Sequence, residues 1–315
     1  MGAIGLDTVY LHVTRACNLR CTYCYFSAGK AMEDELSTDE LIRVLKDVNR
    51  LNPRRVVFTG GEPLLRGDVT TLAEAFKETG SGARLCLSTN GTLVDEVNAR
   101  HLVELFEEVR VSVDGFEEVN DGLRGAGAYG MAMKAFRCLL EAGGDPVAFV
   151  TVTRVNLPGS EGFMRFLLMN RITKIHLSPL KTAGRARDEG LVCAPGEIRS
   201  VLEDFWYETS GLRLKTVGGT GSNCGLGSYI TVYPDGSVYP CHLLAFPELC
   251  LGNVRSQGLF SIYRSSTLLE KLMKLDAEEL EPHRTRIKGL PKESKCIGIQ
   301  AQEAKFREKL LEFLD

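Results

Sequence analysis

Residues 17–26 read CNLRCTYCYF and carry three cysteines, Cys17, Cys21 and Cys24, in the spacing C-x3-C-x2-C. Three thiolates on one short loop can bind three irons of a [4Fe–4S] cluster, because such clusters are held by cysteine thiolates. The fourth iron then keeps an open coordination position, which is typical of metal centres that take part in chemistry. The alternatives are a structural zinc loop or three buried free thiols. A zinc site needs a fourth Cys or His nearby, and the loop contains none, because His12 lies upstream in strand-like sequence.

A second motif, Thr59-Gly60-Gly61-Glu62-Pro63, directly follows the apolar run of residues 56–58. Glycine lacks Cβ, so its backbone can approach a ligand closely, and its carbonyl can accept a hydrogen bond from an ammonium group. Together, CNLRCTYCYF and FTGGEPLL resemble the radical S-adenosylmethionine (SAM) superfamily. The resemblance implies that the methionine moiety of SAM chelates the open iron, that Gly60 and Gly61 receive its amino group, and that Glu62 is a charge partner.

Other segments that follow predicted strands resemble elements that contact SAM in that family. They are STNG at residues 88–91, SVDG at residues 112–115, and an arginine flanked by glycines. Taken alone, STNG would be an Asn-Gly turn and the arginine an ordinary surface residue. A guanidinium fork nevertheless fits a carboxylate such as that of SAM. The predicted SAM-binding residues are Tyr23 (near the adenine), Ser88, Asn90, Ser112, Asp114 and Arg124. Asp114 is assigned equally to SAM, to substrate or to local structure.

Apolar β-branched runs alternate with amphipathic helical patterns as far as residue 180. This alternation predicts parallel strands with right-handed crossovers, in which ligands bind at the carboxyl ends of the strands. Strands are predicted at 8–13, 55–58, 84–88, 109–113, 147–153 and 174–178, and helices near 38–51, 67–78, 95–107, 129–142 and 159–170. The resemblance implies an α/β fold, a partial (β/α)6 TIM-like radical SAM barrel in residues 1–190, with a small C-terminal α+β extension in residues 191–315.

The C-terminal part contains a second group of cysteines. Alternating apolar residues around residues 234–236 (Pro-Asp-Gly) predict a hairpin, with Cys224 before it and Cys241 after it. This pattern resembles the SPASM/twitch extension, which carries auxiliary iron–sulfur clusters in many radical SAM enzymes. Ile299 stands where that pattern has a cysteine after Cys296, so one auxiliary cluster is predicted, and free thiols are the alternative. Its predicted ligands are Cys224, Cys241, Cys250 and Cys296, with His242 beside them rather than among them.

Three basic residues, Lys181, Arg185 and Arg187, follow the sixth predicted strand in a loop of small residues. Two interpretations are open for them. They form a solvated basic turn, or they contact the substrate.

Composition limits the class of protein. The chain has 315 residues, 44% of them hydrophobic and 25% charged, with a formal net charge of −3. These values are ordinary for a globular protein and do not favour a nucleic-acid surface. Apolar runs are shorter than the ~18 residues that a membrane helix needs, and the N-terminus has no secretory signal pattern. We therefore expect a cytoplasmic protein that binds neither nucleic acid nor membrane.

The resemblance implies reductive cleavage of SAM to a 5′-deoxyadenosyl radical that abstracts hydrogen from a substrate. We expect a peptide substrate, as in ribosomal peptide maturation, and a flavodoxin- or ferredoxin-type electron donor. The alternative is a dehydrogenase, decarboxylase or mutase acting on a small molecule. The first strand starts within ten residues of Met1, which leaves no room for an N-terminal leader-recognition domain and weakens the peptide interpretation. A non-catalytic iron–sulfur protein is the third possibility. No catalytic acid or base is predicted.

Overall fold

The computed structural model describes residues 6–186, 189–193, 197–198, 215–216, 226–274, 297, 301–302 and 304–314. Among the residues singled out by their sequence, Cys224, Cys296 and Arg187 lie outside the described residues. Their predicted roles are therefore taken up below as proposals only.

One mixed sheet contains all the strands that the structure describes. They are β1 Thr8–Thr14, β2 Arg55–Gly60, β3 Arg84–Thr89, β4 Glu108–Ser112, β5 Val147–Val152, β6 Lys174–Pro179, β7 Lys215–Thr216, β8 Tyr229–Val232, β9 Ser237–Tyr239 and β10 Gly252–Asn253. Their order in the sheet is β10-β9-β8-β1-β2-β3-β4-β5-β6-β7. Strands β1 to β6 are parallel neighbours in chain order. The predicted set of six parallel strands is confirmed.

Among the described residues, six helices lie between strands β1 to β6 and cover one face of the sheet, and three more helices follow the last strand. They are α1 Thr38–Leu51, α2 Val69–Glu78, α3 Ala99–Leu105, α4 Glu117–Arg124, α5 Ala128–Glu141, α6 Ser160–Met169, α7 Leu259–Ser265, α8 Thr267–Lys274 and α9 Ala304–Leu314. Helix α1 shows why the sequence pattern of the helices could be recognised. Its residues Leu41, Val44, Leu45 and Val48 are buried at helical spacing, and Ser37 begins the helix with a capping box.

The two faces of β1 have different surroundings. Val9, Leu11 and Val13 belong to the main hydrophobic core together with residues of the covering helices. The alternate residues, Tyr10 and His12, contact aromatic rings of the C-terminal part instead. Because side chains alternate across a strand, β1 separates a packed apolar layer from an interior that is aromatic and polar.

Helix α4 is a difference from the sequence-based expectation, which had no helix between β4 and α5. Only Asn120, Leu123 and Arg124 are buried in it. A short helix that buries two polar residues and one leucine has no apolar stripe in its sequence, and Gly122 weakens the pattern further.

The predicted hairpin around residues 234–236 is confirmed. Strands β8 and β9 are antiparallel, and Gly236 takes a φ of +86°, a conformation that favours glycine. Strand β8 also pairs in parallel with β1, where Tyr10 aligns with Thr231. The hydrogen-bonded sheet thus continues from the barrel strands into the C-terminal part. The boundary at residue 190 stays a prediction.

Candidate active site

The three N-terminal cysteines lie on the loop that follows β1, at the carboxyl end of the parallel strands. The Cys17 backbone N donates to Gly29 O (2.8 Å), and Ser27 N donates to Cys24 O (3.1 Å), so the loop folds back on itself. All three cysteines, Cys21 included, are free thiols of intermediate exposure. The structure therefore places the cysteine motif beside the strand ends, as the sequence predicts.

The loop after β6 holds the cysteine loop from its other side. Arg185 Nε donates to Cys21 O (2.9 Å), its Nη1 donates to Ala28 O (2.8 Å), and its backbone N donates to Cys24 O (3.0 Å). A Cβ added at Gly184 would lie 2.3 Å from Tyr25 O, so the two loops touch backbone to backbone. These three hydrogen bonds show that Arg185 supports the cysteine loop, a role that the sequence does not predict, while its contact with substrate stays a prediction.

The donor set on this loop fits an iron–sulfur cluster. It consists of three cysteine sulfurs, the ligands that such a cluster takes from a protein. Burial is the main cause that raises the pKa of the Cys17 and Cys21 thiols, and at Cys17 the neighbouring Cys21 and Cys24 raise it further, so iron binding has to displace their protons. In the described part of the chain, no three His, Cys, Asp or Glu side chains form a site for a single metal ion. A cluster does not require such convergence, because its thiolates bind different irons.

Both glycines of the Gly60-Gly61 pair are fixed by the cysteine loop. A Cβ on Gly60 would lie 2.3 Å from Thr14 O, and one on Gly61 would lie 2.0 Å from Ala16 O. Gly61 N donates to Thr14 O (2.8 Å), and Glu62 N donates to Ala16 O (2.7 Å). The close approach that these glycines allow is therefore to the backbone that leads into the cysteine loop. Their contact with SAM stays a prediction.

Glu62 is completely buried and connects two of the predicted SAM-binding segments. Its carboxylate accepts hydrogen bonds from Thr89 Oγ1 (2.8 Å), Asn90 N (2.6 Å) and Leu64 N (3.1 Å). Burial raises the pKa of Glu62 to about 7, while these hydrogen bonds lower it. The role of Glu62 as a charge partner of SAM stays a prediction. The structure shows a buried carboxyl that ties the end of β2 to the end of β3.

Asn90 contacts the cysteine loop directly. Its Nδ2 donates to Asn18 Oδ1 (2.9 Å) and lies 3.9 Å from Cys17 Sγ. Ser88 and Ser112 are half-buried near the ends of neighbouring strands β3 and β4. The predicted SAM-binding residues Ser88, Asn90 and Ser112 thus lie at the carboxyl ends of two neighbouring strands, and Asn90 contacts the cysteine loop.

Asp114 and Arg124 form a buried ion pair behind this edge. Arg124 Nε donates to Asp114 Oδ2 (2.7 Å) and its Nη2 to Oδ1 (3.0 Å). Asp114 also accepts from the Tyr23 hydroxyl and from Thr151 N (2.8 Å), and it is 1% exposed. Of the three alternatives for Asp114, these contacts support local structure. The predicted contacts of Arg124 and Tyr23 with SAM stay predictions.

Two of the four predicted auxiliary-cluster ligands are described. Cys241 is buried, and its Sγ accepts from Leu243 N (3.3 Å). The Cys250 thiol faces Gly252 O at 3.3 Å. Because Gly252 aligns with Val238 across β9 and β10, the backbone brings Cys250 level with the residue before Cys241. A shared cluster stays a prediction.

Sequence reasoning missed a group of polar side chains on the interior face of β1. His12 is fully buried, and Lys181 Nζ lies 2.6 Å from His242 Nε2. The sequence predicts two alternatives for Lys181, a solvated turn or a substrate contact, and it places His242 beside the auxiliary cluster. The signal that was available is the strand alternation, which puts His12 on the same face as Tyr10.

Comparison with known proteins identifies the family. Residues 11–161 match the model of the radical SAM superfamily, and residues 224–288 match that of the SPASM iron–sulfur cluster-binding domain. Mycofactocin maturase MftC of Mycobacterium ulcerans is 31% identical over 294 residues, which are 85% of this chain and 78% of that protein. The chain belongs to the radical SAM superfamily. Its resemblance to SPASM-containing members is likewise confirmed, as is the expectation of an enzyme that uses SAM and a [4Fe–4S] cluster.

One further protein is similar to this radical SAM enzyme in sequence, and another is similar in structure. The AdoMet-dependent heme synthase of Oleidesulfovibrio alaskensis is 30% identical over 300 residues, 84% of this chain and 76% of that protein. The crystal structure of Streptococcus suis SuiB bound to its precursor peptide SuiA superimposes with a TM-score of 0.76 at 15% identity, over 86% of this chain and 67% of SuiB. The latter likeness confirms the predicted fold. No helix among the described residues combines the length and apolar character needed to cross a bilayer.

Proposed function

We propose that this radical SAM enzyme matures a peptide. The observation that carries the radical chemistry is that the three cysteines, the Gly60-Gly61 pair and Asn90 lie together at the carboxyl ends of the strands. When bound, SAM and a reduced cluster supply a 5′-deoxyadenosyl radical, which removes a hydrogen atom from the substrate. The peptide class is supported by the maturase relative of M. ulcerans and by SuiB with its precursor peptide.

In this proposal the residues of the protein bind the cluster and SAM and hold them in position. Cys17, Cys21 and Cys24 hold the cluster, and Arg185 fixes their loop through its two side-chain hydrogen bonds. The strand ends at residues 60–62, 88–90 and 112 bind SAM.

Three finer assignments belong to the same proposal. One auxiliary cluster is ligated by Cys224, Cys241, Cys250 and Cys296. A flavodoxin- or ferredoxin-type protein supplies the electron. The cytoplasm is the expected location, because thiolate-ligated clusters suit a reducing compartment.

A small-molecule substrate is the second candidate. It is favoured by the heme synthase of O. alaskensis, whose identity to this chain nearly equals that of the maturase. The two candidates differ in the molecule that gains or loses mass during turnover.

Anaerobic turnover tests the proposal. The reconstituted protein is incubated with SAM and dithionite, and with short peptides encoded beside its gene. We expect 5′-deoxyadenosine release and a mass change on a peptide. Release of 5′-deoxyadenosine with no modified peptide would overturn the peptide assignment, and absence of release would overturn the proposal as a whole.

Iron and sulfide counts test the cluster assignments. The triple variant with Cys17, Cys21 and Cys24 changed to Ala should lose one [4Fe–4S] cluster and all 5′-deoxyadenosine release. A variant with Cys224, Cys241, Cys250 and Cys296 changed to Ser should lose a different set of irons. Equal iron content in the wild type and the second variant would exclude the auxiliary cluster.

A further inference from the structure

Strands β5 and β6 carry polar side chains on the face that is turned away from the helices. The apolar residues at alternate positions of both strands, such as Val150 and Leu177, belong to the main hydrophobic core. Because side chains alternate across a strand, the residues between them point into the interior. These interior residues are Phe149 and Thr151 on β5, and His176 and Ser178 on β6.

The register of the sheet sets these side chains beside the predicted SAM site. Phe149 aligns with Ser112 on β4 and with His176 on β6. Thr151 aligns with Ser178. Neighbouring strands lie about 4.8 Å apart, so the backbone of His176 lies roughly 10 Å from that of Ser112. The proposed function assigns SAM to the ends of β2, β3 and β4, and it leaves the interior side of β5 and β6 for the substrate.

His176 brings an imidazole without a hydrogen-bond partner to this interior side. The residue is 9% exposed, and it forms no hydrogen bond within the described part of the chain. Unlike the ring nitrogens of His12, those of His176 are not sealed from solvent. Its ring stacks on Phe149, with the ring centres 4.6 Å apart and the planes at 26°, so the nitrogens at the ring edge stay free. A largely buried polar group without a partner calls for an explanation, and a ligand in the interior supplies one.

The His176 ring is neutral near pH 7. Burial, followed by the charge of Arg110, lowers its pKa from 6.5 to about 4. A neutral imidazole offers one N–H donor and one acceptor nitrogen. The cations that contribute to this lowered pKa have polar partners of their own, which are Glu108 for Arg110 (2.5 Å), Asp7 for Arg55 (2.7 Å) and His242 for Lys181 (2.6 Å).

Two hydroxyl groups adjoin the imidazole. Thr151 is half-buried, and its backbone N donates to Asp114 Oδ1 (2.8 Å), while its hydroxyl forms no hydrogen bond with a described residue. The Ser178 hydroxyl has only a long contact with Pro179 O, at 3.4 Å. We call His176, Thr151 and Ser178 the neutral patch, because they offer donors and acceptors without charge. An amide, which has an N–H donor, a C=O acceptor and no charge, is the complementary group.

We propose that the neutral patch binds an amide group of the substrate, a backbone amide where the substrate is a peptide, and so holds the substrate beside SAM. Phe149 packs against the apolar part next to that amide. This inference rests on the proposed function for the identity of the substrate as a peptide. His176 is a binding residue in it and takes no part in the cleavage of SAM.

The first experiment does not depend on a known peptide. Diethyl pyrocarbonate acylates accessible neutral imidazoles, and mass spectrometry of the anaerobic holoenzyme gives the rate for each histidine. The probes are N-acetylphenylalanine N-methylamide and an ester of the same shape without N–H donors, methyl 2-acetoxy-3-phenylpropanoate. We expect His176 to react, and the amide to protect it at a concentration about fivefold lower than the ester does, as for one added hydrogen bond. SAM alone should slow the reaction of His176 by about twofold at most.

Controls within the same protein and in matched variants accompany this experiment. The exposed His101 should react equally with and without probes, and the enclosed His12 should not react. Thr151→Val removes a hydroxyl of the neutral patch, keeps the His176 reporter, and should reduce the preference for the amide to about twofold or less. Thr71→Val, which removes an exposed hydroxyl of α2, should keep the full preference.

Three results would overturn the proposal. They are an unreactive His176, equal protection by the two probes, and complete protection by SAM alone, which would assign the neutral patch to the adenine. Ser178→Ala repeats the test if Thr151→Val does not fold, as judged by circular dichroism and iron content.

The second experiment uses the peptide that the wild type modifies. Versions of it carry one N-methylated backbone amide at a time, which removes one donor. One version should raise KM about tenfold in the wild type and by about twofold or less in His176→Phe. His176→Phe should itself raise KM, but 5′-deoxyadenosine release without peptide should stay within about twofold of the wild type. His176→Gln, which keeps a donor and an acceptor, should restore part of the affinity.

The two experiments separate the failure of this inference from that of the proposed function. If the wild type modifies all methylated versions alike, the amide site is refuted although peptide maturation stands. If no peptide is modified but the small probes still discriminate, the peptide assignment fails and the amide site stands.

Discussion

At the level of single residues, the ion pair of Asp114 and Arg124 gives a prediction about the free energy of unfolding. Both are buried, and their ion pair holds together the end of β4, the end of α4 and Tyr23. Asp114→Asn keeps the shape but leaves the Arg124 charge buried without its partner. We expect it to lower the free energy of unfolding by about 3–5 kcal/mol, measured by urea titration.

The matched control for this change is Asp145→Asn, which removes the same charge from an exposed pair with Lys174. It should cost less than about 1 kcal/mol. Similar losses in the two variants would show that the Asp114–Arg124 pair contributes no more than a surface ion pair.

Glu62 gives a prediction about pH. Its pKa is raised from 4.5 to about 7, mainly by burial, so folding favours the protonated carboxyl. This contribution to the free energy of unfolding is fully present below the unfolded pKa of 4.5, and it is lost as pH rises through 7. Glu62→Gln stays uncharged and lacks this dependence. Between pH 5.5 and pH 7.5 the wild type should lose about 2 kcal/mol relative to Glu62→Gln, measured by urea titration at each pH. A difference that stays constant over this range would contradict the raised pKa.

Among the connecting elements, the turn after β2 is the most tightly constrained. Gly61→Ala would put Cβ 2.0 Å from Ala16 O, a contact that only a shift of the cysteine loop relieves. We expect a loss of about 3 kcal/mol or more in the free energy of unfolding, together with a lower iron content after reconstitution. Gly67→Ala in the same connection is the control, because nothing lies within 4 Å of its added Cβ. Equal iron content in both variants would show that the turn does not support the loop.

Arg185 extends the same reasoning to the loop after β6. Arg185→Ala removes two side-chain hydrogen bonds to the carbonyls of Cys21 and Ala28. At about 1 kcal/mol for each bond, the loop should release its iron to a chelator at least several-fold faster. Arg20→Ala, which removes a single bond to the same Ala28 carbonyl, should have a smaller effect. The measurement is the loss of iron–sulfur absorbance with time, and equal rates in the two variants would refute the role of Arg185.

Local patterns explain which elements the sequence allowed us to predict. Helix α1 has both its ends and its apolar stripe in the sequence, and each of the six barrel strands ends within two residues of its predicted limits. Helix α4 was not predicted from the sequence, because the side chains that it buries are mostly polar. The cysteine motif could be recognised because its three cysteines are close together in the sequence. The contact of Arg185 with Cys21 joins residues 164 positions apart, and no local pattern reports such a contact.

At the scale of the whole molecule, the pairing of β8 with β1 is also non-local, and it makes the C-terminal part a component of the barrel sheet. Ile230, Val232 and Val238 lie in the same hydrophobic core as the residues of β1. A fragment of residues 1–190 would therefore expose the hydrogen-bonding edge of β1 and part of that core. We expect it to aggregate and to lack cooperative unfolding, because an unpaired apolar edge is a site of association.

The matched control for this fragment is the full chain with Cys224, Cys241, Cys250 and Cys296 changed to Ser. It removes the proposed auxiliary ligands but keeps β8 and its pairing with β1, so it should stay free of aggregates and unfold cooperatively. Sedimentation and circular dichroism distinguish the two proteins. If residues 1–190 form a monomer that unfolds cooperatively, then the barrel is complete without β8, and the C-terminal part is an appended domain as its sequence first indicated. If the quadruple variant aggregates as the fragment does, the stability comes from the cysteines rather than from the shared sheet.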